Sequence, residues 1–459
     1  MKPSKTASQL SRLRKRPLQE IQALFSTRVE SEPEAPGRDR LFPQHSTFWL
    51  FLSQILRGNV SCSETVQNAL ACLCRETGQT ASPNTAAYCK ARSRLEEKAI
   101  ERVARKVAEN LESRCPASEL VPGRRVRIVD GSSLSMPDTP QNRQLFPQPK
   151  RQKPGCGFPV MRVVVLFSMA TGAILRAAWD SLHVHERTLF HRLWDELKEG
   201  DILVADRGFC GFADFWLLLQ RGVDCIMRNH QRRTKGVRLL KKLGKGDLLV
   251  AWRKSPVCPN WLSREIWKKM PMEMTVRQIH VCVDIPGFRT KKIVLATTLL
   301  DPKLYPKALF TELYRRRWLA ELFLRDIKTS MGMDILKCKS PEMVVKELLM
   351  YLIAYNLIRS IMLEAAQTHG CEPLRISFKR TADGLRQWTP VIRGARGAAR
   401  NRLIEALLAC IAKLIIPHRP DRAEPRAIKR RKKNYQLLNK PRTEFREIAH
   451  RNKYAAGLS

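Results

Sequence analysis

A chain of 459 residues is too long for one compact core and divides into about two to four domains. Its 44% hydrophobic content is that of a folded protein rather than a disordered one. Lys plus Arg number 83 against 43 Asp plus Glu, a formal net charge of +40, which points to a polyanion partner and makes a merely basic soluble protein the weaker reading.

The chain opens with MKPSKTASQLSRLRKR, which lacks the apolar core of a secretory signal. Residues 1–40 read as a charged, Pro-containing arm. From about Phe48 to Arg114 the pattern is helical: FWLFLSQIL, ETVQNALACLC, NTAAYCKARSRL and EKAIERVARKVAENLE, with Gly58, Gly78 and Pro83 as breaks. Lys90, Arg92 and Arg94 form a run that could meet DNA or line a solvated helix face. Cys72 and Cys74 have no second Cys/His pair at zinc-finger spacing and read as buried small residues. The 13 cysteines are odd in number, scattered and mostly in apolar surroundings, as expected of reduced thiols.

From Val121 the period changes. RVRIVD is a short buried-strand pattern closed by Asp130, and MRVVVLFSM with AILRAAWDSL reads as a hairpin turning at Thr171-Gly172. ERTLFHRLWDELKEG predicts an amphipathic helix ending at Gly200. DILVAD, closed by Asp206, is a second buried strand; after the loop RGFCG come a helix ADFWLLLQRG and a strand VDCIMRN. This alternation is an α/β pattern. Residues 231–300 read as a β-rich insertion with strands DLLVAWRK, MTVRQIHVCVD and KKIVLATTLL. A helix over about 308–330 follows, then an apolar helix over about 341–365. The latter contains Asn356 and Arg359, is short for a membrane span and reads as a core helix. After Gly370 the chain turns basic, with one more helix at NRLIEALLACIAKLI and a run KRRKK at 429–433 that reads as a phosphate anchor or a solvated tail.

Two features carry chemistry. Asp130 and Asp206 each end a buried strand, where α/β sheets present side chains to a ligand crevice, although a strand-end Asp is also a common turn residue. In YRRRWLAELFLRDIK, Tyr314, Arg317, Glu321 and Lys328 fall on one helical face, since offsets of three, seven and fourteen residues return to the same side. A carboxylate between two cations and a phenol suits a metal ion held beside phosphate. With the two strand-end acids, Glu321 makes a set of three that can hold two Mg²⁺ ions for phosphoryl transfer. Asp138, Asp180, Glu312 and Asp326 are competing acids of lower rank.

These residues resemble the DDE transposases of bacterial insertion sequences, specifically the insertion-sequence-four family. Its signature Y-x2-R-x3-E-x6-K is matched without a gap by Tyr314, Arg317, Glu321 and Lys328, and its first two acids by Asp130 in IVDGSS and Asp206 in VADRGF. The resemblance covers roughly residues 120–365. It implies an RNase H-like catalytic core interrupted by a β-rich insertion; with the patterns read above, the expected fold is α/β, with an α-helical N-terminal domain and a mainly helical basic C-terminal region. The expected divisions are 1–118 (DNA-binding), 119–230 and 301–366 (core), 231–300 (insertion) and 367–459.

The implied activity is cut-and-paste DNA transposition at terminal inverted repeats, with Asp130, Asp206 and Glu321 as catalytic metal ligands and Mg²⁺ as cofactor, for which Mn²⁺ can substitute. Tyr314, Arg317 and Lys328 would contact the DNA backbone. Trp318 would stack a flipped base, as in relatives that pass through a hairpin, or be core; Trp252 and Trp261 are further candidates that one sequence cannot rank. The implied partners are double-stranded DNA, both element ends and target, and a second copy of the chain, with no membrane and a location at the bacterial nucleoid in the cytoplasm. A catalytically silent DNA-binding repressor or relic, and a structure-specific nuclease with the same core, remain as alternatives. His183 and His185 read as a polar turn ahead of a metal role, and Lys150, Arg151 and Lys153 as backbone contacts in a flexible loop.

Overall fold

Alternating apolar residues decide the centre of the structure, which a computed structural model describes for residues 41–115, 121, 123–230, 237–282, 292–417 and 437–445. Among these residues nine strands form one sheet: β1 (Val126–Ser135), β2 (Val160–Ser168), β3 (Ile174–Ser181), β4 (Ile202–Ala205), β5 (Asp224–Arg228), β6 (Arg238–Gly244), β7 (Asp247–Arg253), β8 (Glu273–Cys282) and β9 (Lys292–Thr297). Their order is β3-β2-β1-β4-β5-β9-β8-β7-β6. β1, β4 and β5 are mutually parallel and the remaining pairings antiparallel.

Side chains alternate across the strands, so each strand feeds two cores. Ile128, Val163, Val204 and Ile226 face one side, where helices Glu97–Ser113, Lys307–Arg316, Leu319–Arg325 and Pro341–His369 pack. Val129, Val164, Leu203 and Met227 face the other, against helices Glu186–His191 and Phe212–Gln220 and Trp267 of helix Arg264–Lys269.

Helix Pro341–His369 is apolar and long enough to cross a membrane, yet 94% of its most apolar window is buried in the fold, as the core-helix reading expected. Its buried charges are all partnered, as burial demands. Lys346 donates to the Ser93 carbonyl (2.8 Å) and pairs with Glu342, while Glu347 accepts from Asn59 (2.7 Å) and from the backbone N–H groups of Lys337 and Cys338 (2.9 and 2.8 Å). These contacts dock the N-terminal helices, Gln44–Leu56, Cys62–Thr77, Ala86–Arg94 and Glu97–Ser113, on the core.

Several sequence expectations change. Asp130 does not close its strand: β1 continues to Ser135, because antiparallel pairing with β2 runs from Arg127 through Ser135 and overrides the turn-forming residues Gly131, Ser132 and Ser133. The helix expected to reach Gly200 stops at His191 and gives way to a 3₁₀ turn, Trp194–Glu196. The expected helix 308–330 is three pieces: Lys307–Arg316, Leu319–Arg325 and a π-helical turn Asp326–Ser330. The strands of 231–300 extend the central sheet, β9 pairing with β5, and β6 joins the three that were expected. Beyond Gly370 the described residues form two long helices, Phe378–Gly394 and Gly397–Ala412, where one was expected. In the run Lys90, Arg92 and Arg94, Arg92 is half-buried: it packs on Phe51 and Tyr88 and donates to Cys62 (3.2 Å). The arm 1–40 and the run 429–433 lie outside the described residues.

The β2–β3 turn depends on Gly172. Its φ is +71°, a Cβ there would come within 2.9 Å of the Phe323 ring and 3.2 Å of the Arg359 guanidinium carbon, and its carbonyl accepts from the Tyr355 hydroxyl (2.9 Å). Gly172→Ala is expected to lower stability by about 1–2 kcal/mol from backbone strain alone, and further through the ring contact. Urea unfolding of the two proteins checks this; equal midpoints would contradict the requirement.

Candidate active site

The site begins as a row across the sheet. β1 and β4 pair in parallel at Val126–Ile202, Arg127–Leu203 and Ile128–Val204. Continued by two residues, that register sets Asp130 beside Asp206. β4 and β5 pair from Ile202–Asp224 to Ala205–Met227, so the next step sets Arg228 beside Asp206. By the two-residue period, all three side chains share the face of Ile128, Val204 and Ile226. This is the face that the broken signature helix covers.

That helix anchors through Phe310, Leu313, Ala320, Phe323 and Ile327, all buried in the core. Its polar side chains then hang over the ends of the parallel strands. The Tyr314 hydroxyl donates to Asp206 Oδ1 (3.2 Å), Arg317 Nη2 donates to Glu321 Oε1 (3.1 Å), and Lys328 Nζ donates to Ser132 Oγ (2.8 Å) and the Ser133 carbonyl (2.9 Å). The helix is tightened where Arg317 and Trp318 join its pieces, with Trp318, Ala320 and Glu321 bonding three residues back. Trp318 remains 42% exposed, with its indole outside the core.

Electrostatics mark the row as a place where negative charge is confined. Burial pushes the Asp130 carboxyl up to about 6; the Gly131 N–H (2.8 Å) and Arg317 oppose this, while Glu321 and Asp206 add to it. Burial and then Asp206 raise the Tyr314 phenol. Burial works against the Arg317 charge, but Tyr314, Asp206, Glu321 and Asp130 together hold the guanidinium above its ordinary value. The Arg317 side chain is 12% exposed, and its buried Nε finds no acceptor among the described residues. Such a donor fits an incoming anion.

Among the described residues, no three His, Cys, Asp or Glu side chains stand close enough to hold a metal ion. The three carboxylates nevertheless fit a hard divalent cation as a donor set. All are oxygen ligands, and Asp130 feels the charge of both other acids. Asp206 is engaged by Tyr314 and Glu321 by Arg317, so ligation requires these partners to be exchanged.

The competing acids are occupied elsewhere. Asp138 pairs with Arg143 (3.0 Å) and Arg442 (2.6 Å), Asp180 with Arg192 (2.8 Å), Glu312 with Arg315 and Arg316 (2.8 and 2.9 Å), and Asp326 with Arg359 (2.9 Å). His185 accepts from the Arg187 N–H at a helix start, and His183 bonds the Gln148 carbonyl, which are turn and cap roles. Lys150, Arg151 and Lys153 lie exposed in a loop. Trp252 is buried against Phe215, and Trp261 packs on His191 at 3.9 Å. Arg228 is the neighbour that sequence reading missed; it stands within electrostatic reach of the Tyr314 phenol. The available signal was a third strand, VDCIMRN, ending in a charge beside two that end in Asp.

The family comparison and the sequence comparison both name transposases. Residues 121–357 match the family described as transposase DDE domain. The chain is 28% identical over 355 residues, 76% of its own length and 77% of the relative's, to transposase InsG for insertion sequence element IS4 of Escherichia coli (strain K12). Among solved structures, the piggyBac transposase synaptic complex with hairpin DNA, determined by cryo-electron microscopy, is similar at a TM-score of 0.41 and 9% identity, over 89% of this chain and 87% of that one.

The raised Asp130 value has a signed consequence for the metal-free protein. Between the ordinary 3.8 and about 6, the folded chain holds a proton that the unfolded chain releases. Stability therefore falls as pH rises through that window, and the whole cost is present above it. Asp130→Asn removes the charge, so in EDTA the variant is expected to be more stable than wild type above pH 6 and to converge with it near 3.8. Urea unfolding across that range tests it; a wild type at least as stable above pH 6 would contradict the confinement of charge.

Proposed function

This chain belongs to the transposase DDE-domain family, and we propose that it moves its own insertion sequence by cutting DNA at the element's terminal inverted repeats and joining the freed 3′ ends to target DNA. The observation that carries this reading is the meeting of Asp130 and Asp206, from neighbouring parallel strands, with Tyr314, Arg317 and Glu321 on one face of the sheet. On this reading the parallel strands β1, β4 and β5 with the signature helix are an RNase H-like core, with the expected divisions at 119–230, 231–300 and 301–366.

Asp130, Asp206 and Glu321 would hold Mg²⁺, or Mn²⁺ in its place. Bound there, the metal supplies an activated water or 3′-hydroxyl and neutralises charge on the leaving oxygen. The chain's own residues do the rest. Arg317 offers its unsatisfied Nε–H to a backbone phosphate, and on doing so releases Glu321. Lys328 adds a cation beside β1, and Tyr314 offers a hydroxyl that now rests on Asp206. Arg228 extends the positive wall. Trp318, already exposed, gives an extruded base a surface on which to stack. The net charge of +40 and the loop of Lys150, Arg151 and Lys153 supply backbone affinity without reading sequence. Holding two element ends together calls for two copies of the chain.

With DNA carrying the element's own ends, Mg²⁺-dependent nicking is expected to fall about a thousandfold in Glu321→Ala while DNA binding persists. Single-turnover cleavage beside a gel-shift assay measures both. Equal nicking by wild type and variant would refute the assignment of Glu321. Cleavage with no strand-transfer product from pre-cut ends would identify a nuclease instead.

A further inference from the structure

Lys328 does not reach β1 by ordinary helical geometry. It sits inside the π-helical turn Asp326–Ser330, closed by the Met331 N–H donating to the Asp326 carbonyl (3.1 Å). A π turn widens the helix by one residue per turn and is poorer in packing than the α form, so something must hold it. At its first residue the Asp326 carboxylate is buried and accepts from Arg359 Nη2 (2.9 Å). Arg359 comes from the core helix Pro341–His369 and is 4% exposed. Its guanidinium carbon lies 4.8 Å from the Phe323 ring centre, 5.2 Å from Tyr355 and 5.0 Å from Phe378, and its Nε donates to the Tyr355 hydroxyl (2.9 Å). Beyond the turn, the Asp334 N–H donates to the Lys328 carbonyl (3.2 Å), and Ser135 and Ile335 form a parallel bridge that ties the helix exit to the end of β1.

A buried ion pair is a poor source of net stability, because desolvation offsets most of the attraction; its best-attested use is to fix one register. We propose that Asp326 and Arg359 are positioning residues that lock the π turn and so carry the Lys328 ammonium to Ser132 and Ser133, beside Asp130. This rests on the reading that Lys328 serves the DNA phosphate backbone. The pair acts from behind the helix, where Arg359 is enclosed by Phe323, Tyr355 and Phe378.

The test is a double-mutant cycle on the full chain with element-end DNA. Asp326→Leu with Arg359→Met removes both charges while keeping bulk, so that no lone buried charge remains. Lys328→Ala is expected to slow cleavage about ten- to a hundredfold, the loss of one charge-assisted hydrogen bond, and to lower the salt dependence of binding by about one phosphate contact. The pair variant should reproduce both changes, and adding Lys328→Ala to it should cost no more than about twofold further. Arg359→Lys keeps the buried charge and should show a smaller loss in the same direction, again absent in a Lys328→Ala background; it decides the matter if the pair variant does not fold. Losses that multiply in the combined variants, or a pair variant that cleaves and binds like wild type, would overturn the proposal. Lys328→Ala without effect would instead refute the reading of Lys328, and the proposal with it.

Discussion

The three residue pairs of β1 and β4, Val126–Ile202, Arg127–Leu203 and Ile128–Val204, constrain everything around the site. A parallel register fixed at these positions leaves no freedom two residues later, so Asp130 and Asp206 must share a row and a face. The register is itself secured by burial. Ile128, Val129, Leu203 and Val204 are wholly enclosed, and a slip by one residue would turn each to the wrong core. Arg127 adds a second lock, buried between Glu112 and Asp201, which joins the strand to helix Glu97–Ser113. The acids thus stand together because apolar packing elsewhere leaves them no alternative.

Bringing carboxylates together has a cost that the neighbouring side chains offset. In this state Tyr314 covers Asp206, Arg317 holds Glu321, and Asp130 is pushed toward its neutral form by burial and by the other two acids. The same groups that would grip phosphate therefore balance the site before DNA arrives. Arg317 holds Glu321 through Nη2 and keeps a buried Nε–H without an acceptor among the described residues, the donor that the proposed phosphate contact would use. On the proposed function, binding of DNA and freeing of Glu321 would be one event.

Much of this was legible in the sequence because it rests on local pattern. The buried strands RVRIVD, DILVAD and VDCIM and the core helix announce themselves by apolar runs of the right length, and the Tyr314, Arg317 and Glu321 spacing by helical period. What escaped depends on partners distant in sequence. Gly131, Ser132 and Ser133 look like a turn until β2 pairs with them. Nothing in strands 238–297 shows by itself that β9 pairs with β5 and so extends the central sheet. Arg228 carries no motif and gains meaning only from its place in the sheet row. The π turn at Asp326 is invisible without Arg359 and its aromatic box.

The central claim is that one row of the sheet and one helix build a cation site that is completed when phosphate takes Arg317. A crystal of the chain with pre-cleaved element-end DNA and Mn²⁺, read by the anomalous scattering of manganese, tests it directly. The account predicts manganese bound between Asp130 and Asp206, with Glu321 turned from Arg317 to the metal and Arg317 on a DNA phosphate. Manganese bound only elsewhere, or Glu321 still held by Arg317 with DNA in place, would contradict it.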